Sequence, residues 1–112
     1  MYLSPTEEER LRISAAADLA RKVLARGLRL NAPEATALIC DEMHLAARAG
    51  ATFEEVMEAG RSALRPDQVL EGVPDLIEEI RLEVLLDEGT RLLVLRRPLG
   101  RAADVTTGQL AR

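Results

Sequence analysis

Hydrophobic and polar positions divide the chain into a helical first half and an extended stretch near its end. Leu11, Ala15, Leu19 and Val23 recur every four residues, and Ala16, Ala20 and Leu24 widen that stripe into the apolar face of an α-helix. Ser4-Pro5-Thr6-Glu7 opens this helix, with Ser4 as cap, Pro5 at the first helical position and Glu7 placed to complete a capping box. Glu7, Glu8 and Glu9 near the start, and Arg21, Lys22 and Arg26 near the end, both complement the helix dipole. Gly27 suits the left-handed position just past the helix end, where a side chain would clash. Asn31 caps the next helix, with Glu34 three residues later. This second helix is predicted from about Ala32 to Ala49, with Ala35, Leu38, Ile39, Met43 and Ala46 as its apolar face and Gly50 as its stop. Thr52-Phe53-Glu54-Glu55 repeats the capping logic for a short third helix, which Gly60 is expected to close.

Past Arg61 the helical signal weakens. Pro66-Asp67 can start a short helical turn, Gly72 interrupts it, and Pro74 can open a further turn through Ile77. The period then changes: Ile80, Leu82 and Val84 alternate with Arg81 and Glu83, which is strand spacing with one polar face. Asp87-Glu88-Gly89-Thr90 supplies a turn, Arg91 to Arg96 a second strand, and Pro98 its end. The expected class is α+β: a bundle of three to four helices followed by a C-terminal β-hairpin. An isolated hairpin is marginal in water, so this one must pack on the helices or on another chain. Residues 1–100 read as one domain. Residues 101–112 are small and polar without periodicity, and read as a tail, a linker toward something further on, or an expression remnant, expected to be flexible.

Composition changes this picture in three ways. A chain of 112 residues can bury a modest core, but Tyr2 and Phe53 are the only aromatic residues, so that core is built from Leu, Ala, Val and Ile. With burial worth about 25 cal/mol per Å², an aromatic-poor core predicts marginal stability as a free monomer, which a partner surface would relieve. Fifteen basic and nineteen acidic side chains give a net charge of −4, which argues against nucleic acid as a partner. Cys40 is the only cysteine, so no internal disulfide can form and a reducing compartment is the default. The first residues show no signal-peptide pattern, and no apolar run approaches bilayer length. The expectation is a soluble, cytoplasmic protein with no membrane contact.

The candidate chemistry is sparse. Cys40 and His44 share a helix face at i, i+4, with Asp41 beside them, which could begin a zinc site. No other cysteine or histidine exists to complete it, so a structural or surface histidine is the reading adopted. Cys40 as a nucleophile would need a base and oxyanion donors. It lies mid-helix without a glycine-rich turn, so a buried thiol acting as a small hydrophobe is expected. The pairs Glu54-Glu55 and Glu78-Glu79 are adjacent in sequence and point in different directions on a helix, unlike an acid/base pair. Arg91, Arg96, Arg97 and Arg101 form one basic cluster that could meet an acidic neighbouring subunit or a phosphate backbone. Equally, it could be exposed strand-edge charge that blocks aggregation. No catalytic, cofactor-binding or metal-ligating residue is assigned to the chain.

Gly27-Leu28-Arg29-Leu30-Asn31, followed by Pro33-Glu34-Ala35 and Ala37-Leu38-Ile39, resembles the helix-one to helix-two junction of the urease gamma subunit family. The likeness covers essentially Met1 to Leu99. Leu3-Ser4-Pro5 with Glu7 is similar to the family's opening, and Asp41, Ala47-Arg48 and Gly50 keep the register of the junction block. Met57-Glu58-Ala59-Gly60 resembles its third helix, and Val69, Glu71-Gly72-Val73 and Ile77 resemble the segment that follows. Glu83, Gly89-Thr90, Leu92 and Pro98 fall in its closing hairpin. The chain departs from the family pattern at Ala32, where an aromatic is usual, and at Glu78 and Arg96, where histidine is common. Leu45, Ala46 and Ala49 replace a more polar helix end, and Asp87-Glu88 replaces a Pro-Asp turn.

The resemblance implies an inactive structural subunit within a trimer of alpha-beta-gamma units that hydrolyses urea to ammonia and carbamate. Nickel, a bridging carbamylated lysine and a general-acid histidine would belong to the alpha subunit, so no cofactor is expected in this chain. The departures keep open an alternative, a diverged gamma-like helical interaction module without urease activity. A DNA-binding regulator is disfavoured by the net acidity, and a self-sufficient enzyme by the scarcity of reactive side chains.

Overall fold

The computed structural model describes residues 1–100; the expected tail, 101–112, lies outside the described residues. Three capped helices come first: α1 (Pro5–Ala25), α2 (Ala32–Arg48) and α3 (Phe53–Ser62). The side chains of Ser4, Asn31 and Thr52 each accept a hydrogen bond from the backbone N–H of the glutamate three residues on, and each glutamate carboxylate accepts one from the cap's backbone N–H. The ends of α1 and α2 are closed in the same manner. Gly27, at φ 75°, donates to the Leu24 carbonyl while Leu28 donates to Val23. Gly50, at φ 92°, donates to Ala47 while Ala51 donates to Ala46. These paired bonds satisfy carbonyls the helices leave over, and they need a residue that tolerates positive φ.

Gly60 behaves differently from its sequence reading. It does not close α3, which continues through it to Ser62. Gly60 is buried where α3 meets α2 and the hairpin: a Cβ there would stand 2.8 Å from both Met43 Sδ and Leu95 Cδ2. Its role is to have no side chain.

A 3₁₀ turn (Pro66–Gln68) and a one-turn α4 (Val73–Leu76) lead to β1 (Glu79–Leu86) and β2 (Gly89–Arg96). The antiparallel register runs from Glu79 opposite Arg96 to Leu86 opposite Gly89, leaving Asp87-Glu88 as a two-residue loop. Gly89 and Thr90, read from sequence as turn, are the first paired positions of β2. The inner face of the hairpin buries Ile80, Leu82, Val84 and Leu86 with Leu93 and Leu95. It closes over α2 and α3, as an isolated hairpin must to be stable. A bridge ties the middle of the chain together: Leu30 donates to the Gln68 carbonyl and Leu70 donates to that of Leu30, both at 2.9 Å.

α2 is the hub, packed against α1, α3 and β1, and it buries Ala35, Leu38, Ile39, Cys40, Met43 and Ala47. α1 rests on α2 by a different face than its four-residue spacing suggested. Its fully buried residues are Ala17 and Ala20, flanked by the half-buried Ile13, Val23 and Leu24. Leu11 and Leu19 are 55% and 56% exposed. Alanines at the contact let the two helices approach closely.

Gly60→Val tests the close approach. Overpacking a filled core costs about 1–3 kcal/mol, so denaturant unfolding should show a loss of roughly 2 kcal/mol; an unchanged midpoint would mean that Met43 and Leu95 move aside at no cost.

Candidate functional site

The one buried charged side chain among the described residues is Asp41, 2% exposed at the middle of α2. A charge taken from water needs partners, and α1 supplies two. Arg21 Nη2 donates to Asp41 Oδ2 at 2.7 Å, and Arg10 Nη1 donates to Oδ1 at 3.3 Å. Arg21 also reaches Glu42 at 2.7 Å and, within α1, Asp18 at 2.9 Å. Partial burial works against the Arg21 charge, but its hydrogen bonds to Asp41 and Glu42 outweigh that and raise its pKa. Arg10 and Arg21 are eleven residues apart, three helical turns, so both stand on the side of α1 that faces α2. In the sequence Arg21 reads only as complementing the helix dipole, and Arg10 has no evident role. The available signal was an aspartate inside the apolar run Leu38-Ile39-Cys40-Asp41-Glu42-Met43, opposite two arginines in phase.

Cys40 and His44 lie on α2 as expected. Burial first, then the charges of Asp41 and Glu9, push the Cys40 thiol up to about 11, which suppresses the nucleophilic thiolate. His44 is half-buried; burial first, then the nearby Arg10, lowers its pKa despite Asp41 and Glu9, so the imidazole is neutral near pH 7. Among the described residues no group of three or more His, Cys, Asp or Glu is placed to hold a metal ion. Both Asp41 oxygens are already taken by arginine, so the described residues do not fit a nickel centre.

A wide, open groove runs between α1, α2 and the start of β1, past Ile13, Ala16, Pro33, Cys40 and Ile80, with Glu9 and Arg12 at its rim. Among the described residues no buried side-chain nitrogen or oxygen lacks a partner.

The basic cluster is dispersed. Arg91, on the inner side of the hairpin tip, lies 4.7 Å from the Phe53 ring centroid and donates to Glu88 at 3.0 Å. Arg96 faces outward at the other end of β2, 3.9 Å from Glu79, which also accepts from Arg81 at 2.6 Å. The hydrogen bond from Arg81 holds the Glu79 carboxyl below its ordinary range. Arg97, at φ 45°, donates its backbone N–H to the Glu78 carbonyl at 2.8 Å. Arg101 lies outside the described residues. Alternation along β2 sets Arg91 and Arg96 on opposite faces, so they do not make one phosphate-binding patch.

The Cys40 environment has a measurable consequence. A thiol whose folded-state pKa is raised favours folding below its unfolded value near 8.5 and loses that contribution as pH rises through about 11. Stability of the wild type should therefore fall more steeply between about pH 9 and 11 than that of Cys40→Ala. At pH 8, Ellman's reagent should titrate Cys40 only after denaturation; rapid labelling of the folded chain would contradict the burial.

Comparison with known proteins matches this architecture to one family. Residues 1–99 match the family model described as urease, gamma subunit. The chain is 52% identical over 100 residues to a "Urease subunit gamma/beta" of Streptomyces coelicolor, covering 89% of this chain and 44% of the relative. It is 51% identical over 100 residues to a protein of the same description from Streptomyces avermitilis, with the same coverage of both. The chain thus spans less than half the length of these relatives. With three capped helices, a closing hairpin and a match over all but one of its described residues, this chain belongs to the urease gamma subunit family.

Proposed function

We propose that the chain is a structural subunit of a nickel-dependent urease, inactive by itself, whose work is to support an alpha subunit that hydrolyses urea to ammonia and carbamate. The observation that carries this reading is the family match over residues 1–99. It is supported by the chemistry of the described residues: a suppressed thiol, a neutral histidine and an aspartate already neutralised by two arginines. In this reading nickel and the groups around it sit on the alpha subunit, and this chain contributes packed helices and the surfaces they present.

The partners in this reading are alpha and beta subunits, in a trimer of alpha-beta-gamma units in the cytoplasm. The relatives' description joins gamma and beta in one chain, which supports a beta portion as an immediate neighbour here. No helix among the described residues is long and apolar enough to cross a membrane. The family departures lie where they leave the core intact. Ala32 is half-buried at the first turn of α2, and Glu78 and Arg96 are exposed beside the paired end of the hairpin.

Affinity purification of the chain from its native cells, followed by mass spectrometry and metal analysis, tests this directly. The expected outcome is a large nickel-containing subunit and a beta partner in a complex that hydrolyses urea, with no hydrolysis by the isolated chain. In calorimetry the isolated chain should not bind nickel tightly. Recovery of the chain alone or with unrelated proteins would overturn the assignment.

A further inference from the structure

After β2 the chain is turned back onto its own body. Arg97 and Gly100 both take positive φ, 45° and 63°, and Gly100 donates to the Arg97 carbonyl at 2.9 Å. Between them Pro98 and Leu99 are buried. A left-handed arginine is uncommon and persists only where its surroundings hold it. Here its backbone N–H is bonded to the Glu78 carbonyl at 2.8 Å. The chain therefore reaches Gly100 beside the start of β1, and Glu79 and Ile80 of that strand line the open groove between α1, α2 and β1. Ile13, Ala37 and Cys40 also line it, as does Leu76, which is 72% exposed. The groove has a volume of about 670 Å³. A three-turn helix, 10–12 Å across, needs roughly twice that, so the space suits a short extended segment.

We infer that this groove is the bed of the chain's own residues 101–112, laid across it in extended form from β1 toward α1. Length allows it. Twelve residues reach about 40 Å when extended, and the crossing from β1 over α2 to α1 covers roughly 20 Å, two packing distances. Val105 and Leu110 are the largest apolar residues of the segment. Five positions apart, they stand about 17 Å from each other in extended chain. That spacing sets Val105 against Leu76 and Ile80, and Leu110 against Ile13 and Ala16. Charge points the same way: the segment holds Arg101 and Arg112 against one acid, Asp104, on a chain whose net charge is −4. Arg101 follows Gly100 and so starts beside Glu78 and Glu79, while Arg112 falls toward Glu9 on the α1 rim. Because the segment is tethered, its effective concentration at the groove is in the millimolar range, and modest apolar contact is enough to seat it. The inference goes beyond the proposed subunit role and concerns this chain alone, so its failure would leave that role standing.

The test is disulfide trapping within the full chain, in a Cys40→Ala background because Cys40 lines the groove. Leu110→Cys is paired in turn with Ala16→Cys, in the groove, and with Leu85→Cys, exposed on the outer face of the hairpin. Under mild oxidation in dilute solution, the pair with Ala16→Cys should close within one chain about tenfold faster than the pair with Leu85→Cys. In a second arm, Leu76→Cys should react with Ellman's reagent about threefold faster once Val105→Asp and Leu110→Asp unseat the segment. Circular dichroism confirms that each variant is folded. Equal closing rates for the two pairs, disulfides formed only between chains, or Leu76→Cys labelling indifferent to Val105 and Leu110 would overturn the inference.

Discussion

Asp41 is the constraint on which the arrangement of this molecule depends. A carboxylate 2% exposed inside an apolar helix is tolerable only with cations at hand, and only α1 can deliver Arg10 and Arg21 together. The pair fixes α1 in rotation as well as in position, because the two side chains must converge on one residue from three turns apart. Removing one partner of a fully buried ion pair costs about 3–5 kcal/mol. Here the arginines keep 31% and 36% side-chain exposure, so the effect is smaller. Its larger consequence is specificity. With alanines on both helices at the contact, several rotations of α1 would bury similar apolar area, and the ion cluster selects one.

The rest of the fold follows from holding α1 there. α2 becomes a central rod with α1 on one side and α3 and the hairpin on others. A core almost without aromatics has to compensate by close approach, and Gly60 provides it where α3, Met43 and Leu95 converge. The hairpin supplies the apolar sheet face that the helices need. Arg91, over the Phe53 ring, ties the hairpin tip to the start of α3. The rotation that buries Ala17 and Ala20 also turns Leu11, Ala15 and Leu19 outward, so the interior geometry decides which surface the chain offers to neighbours.

Local rules made much of this legible in the sequence. Caps at Ser4, Asn31 and Thr52, glycine stops at Gly27 and Gly50, and the period-two pattern of β1 depend on neighbours a few residues away, and the structure shows each of them. What was not legible depends on tertiary contact. The face α1 buries is set by Asp41 on another helix, and Gly60 reads as a stop until Leu95, thirty-five residues later, is seen against it. The arginines of β2 look like one patch in sequence and part because a strand sends alternate residues to opposite faces.

The central claim is that the chain's contribution is a preset surface, with α1 locked on α2 before any partner arrives. Hydrogen–deuterium exchange on the free chain tests it most directly. The account predicts that amides in the middle of α1, from Ala15 to Val23, exchange as slowly as those of α2 around Asp41. Fast exchange throughout α1 beside a protected α2 would contradict it, because the helix would then be docked by its partners and not by Arg10 and Arg21.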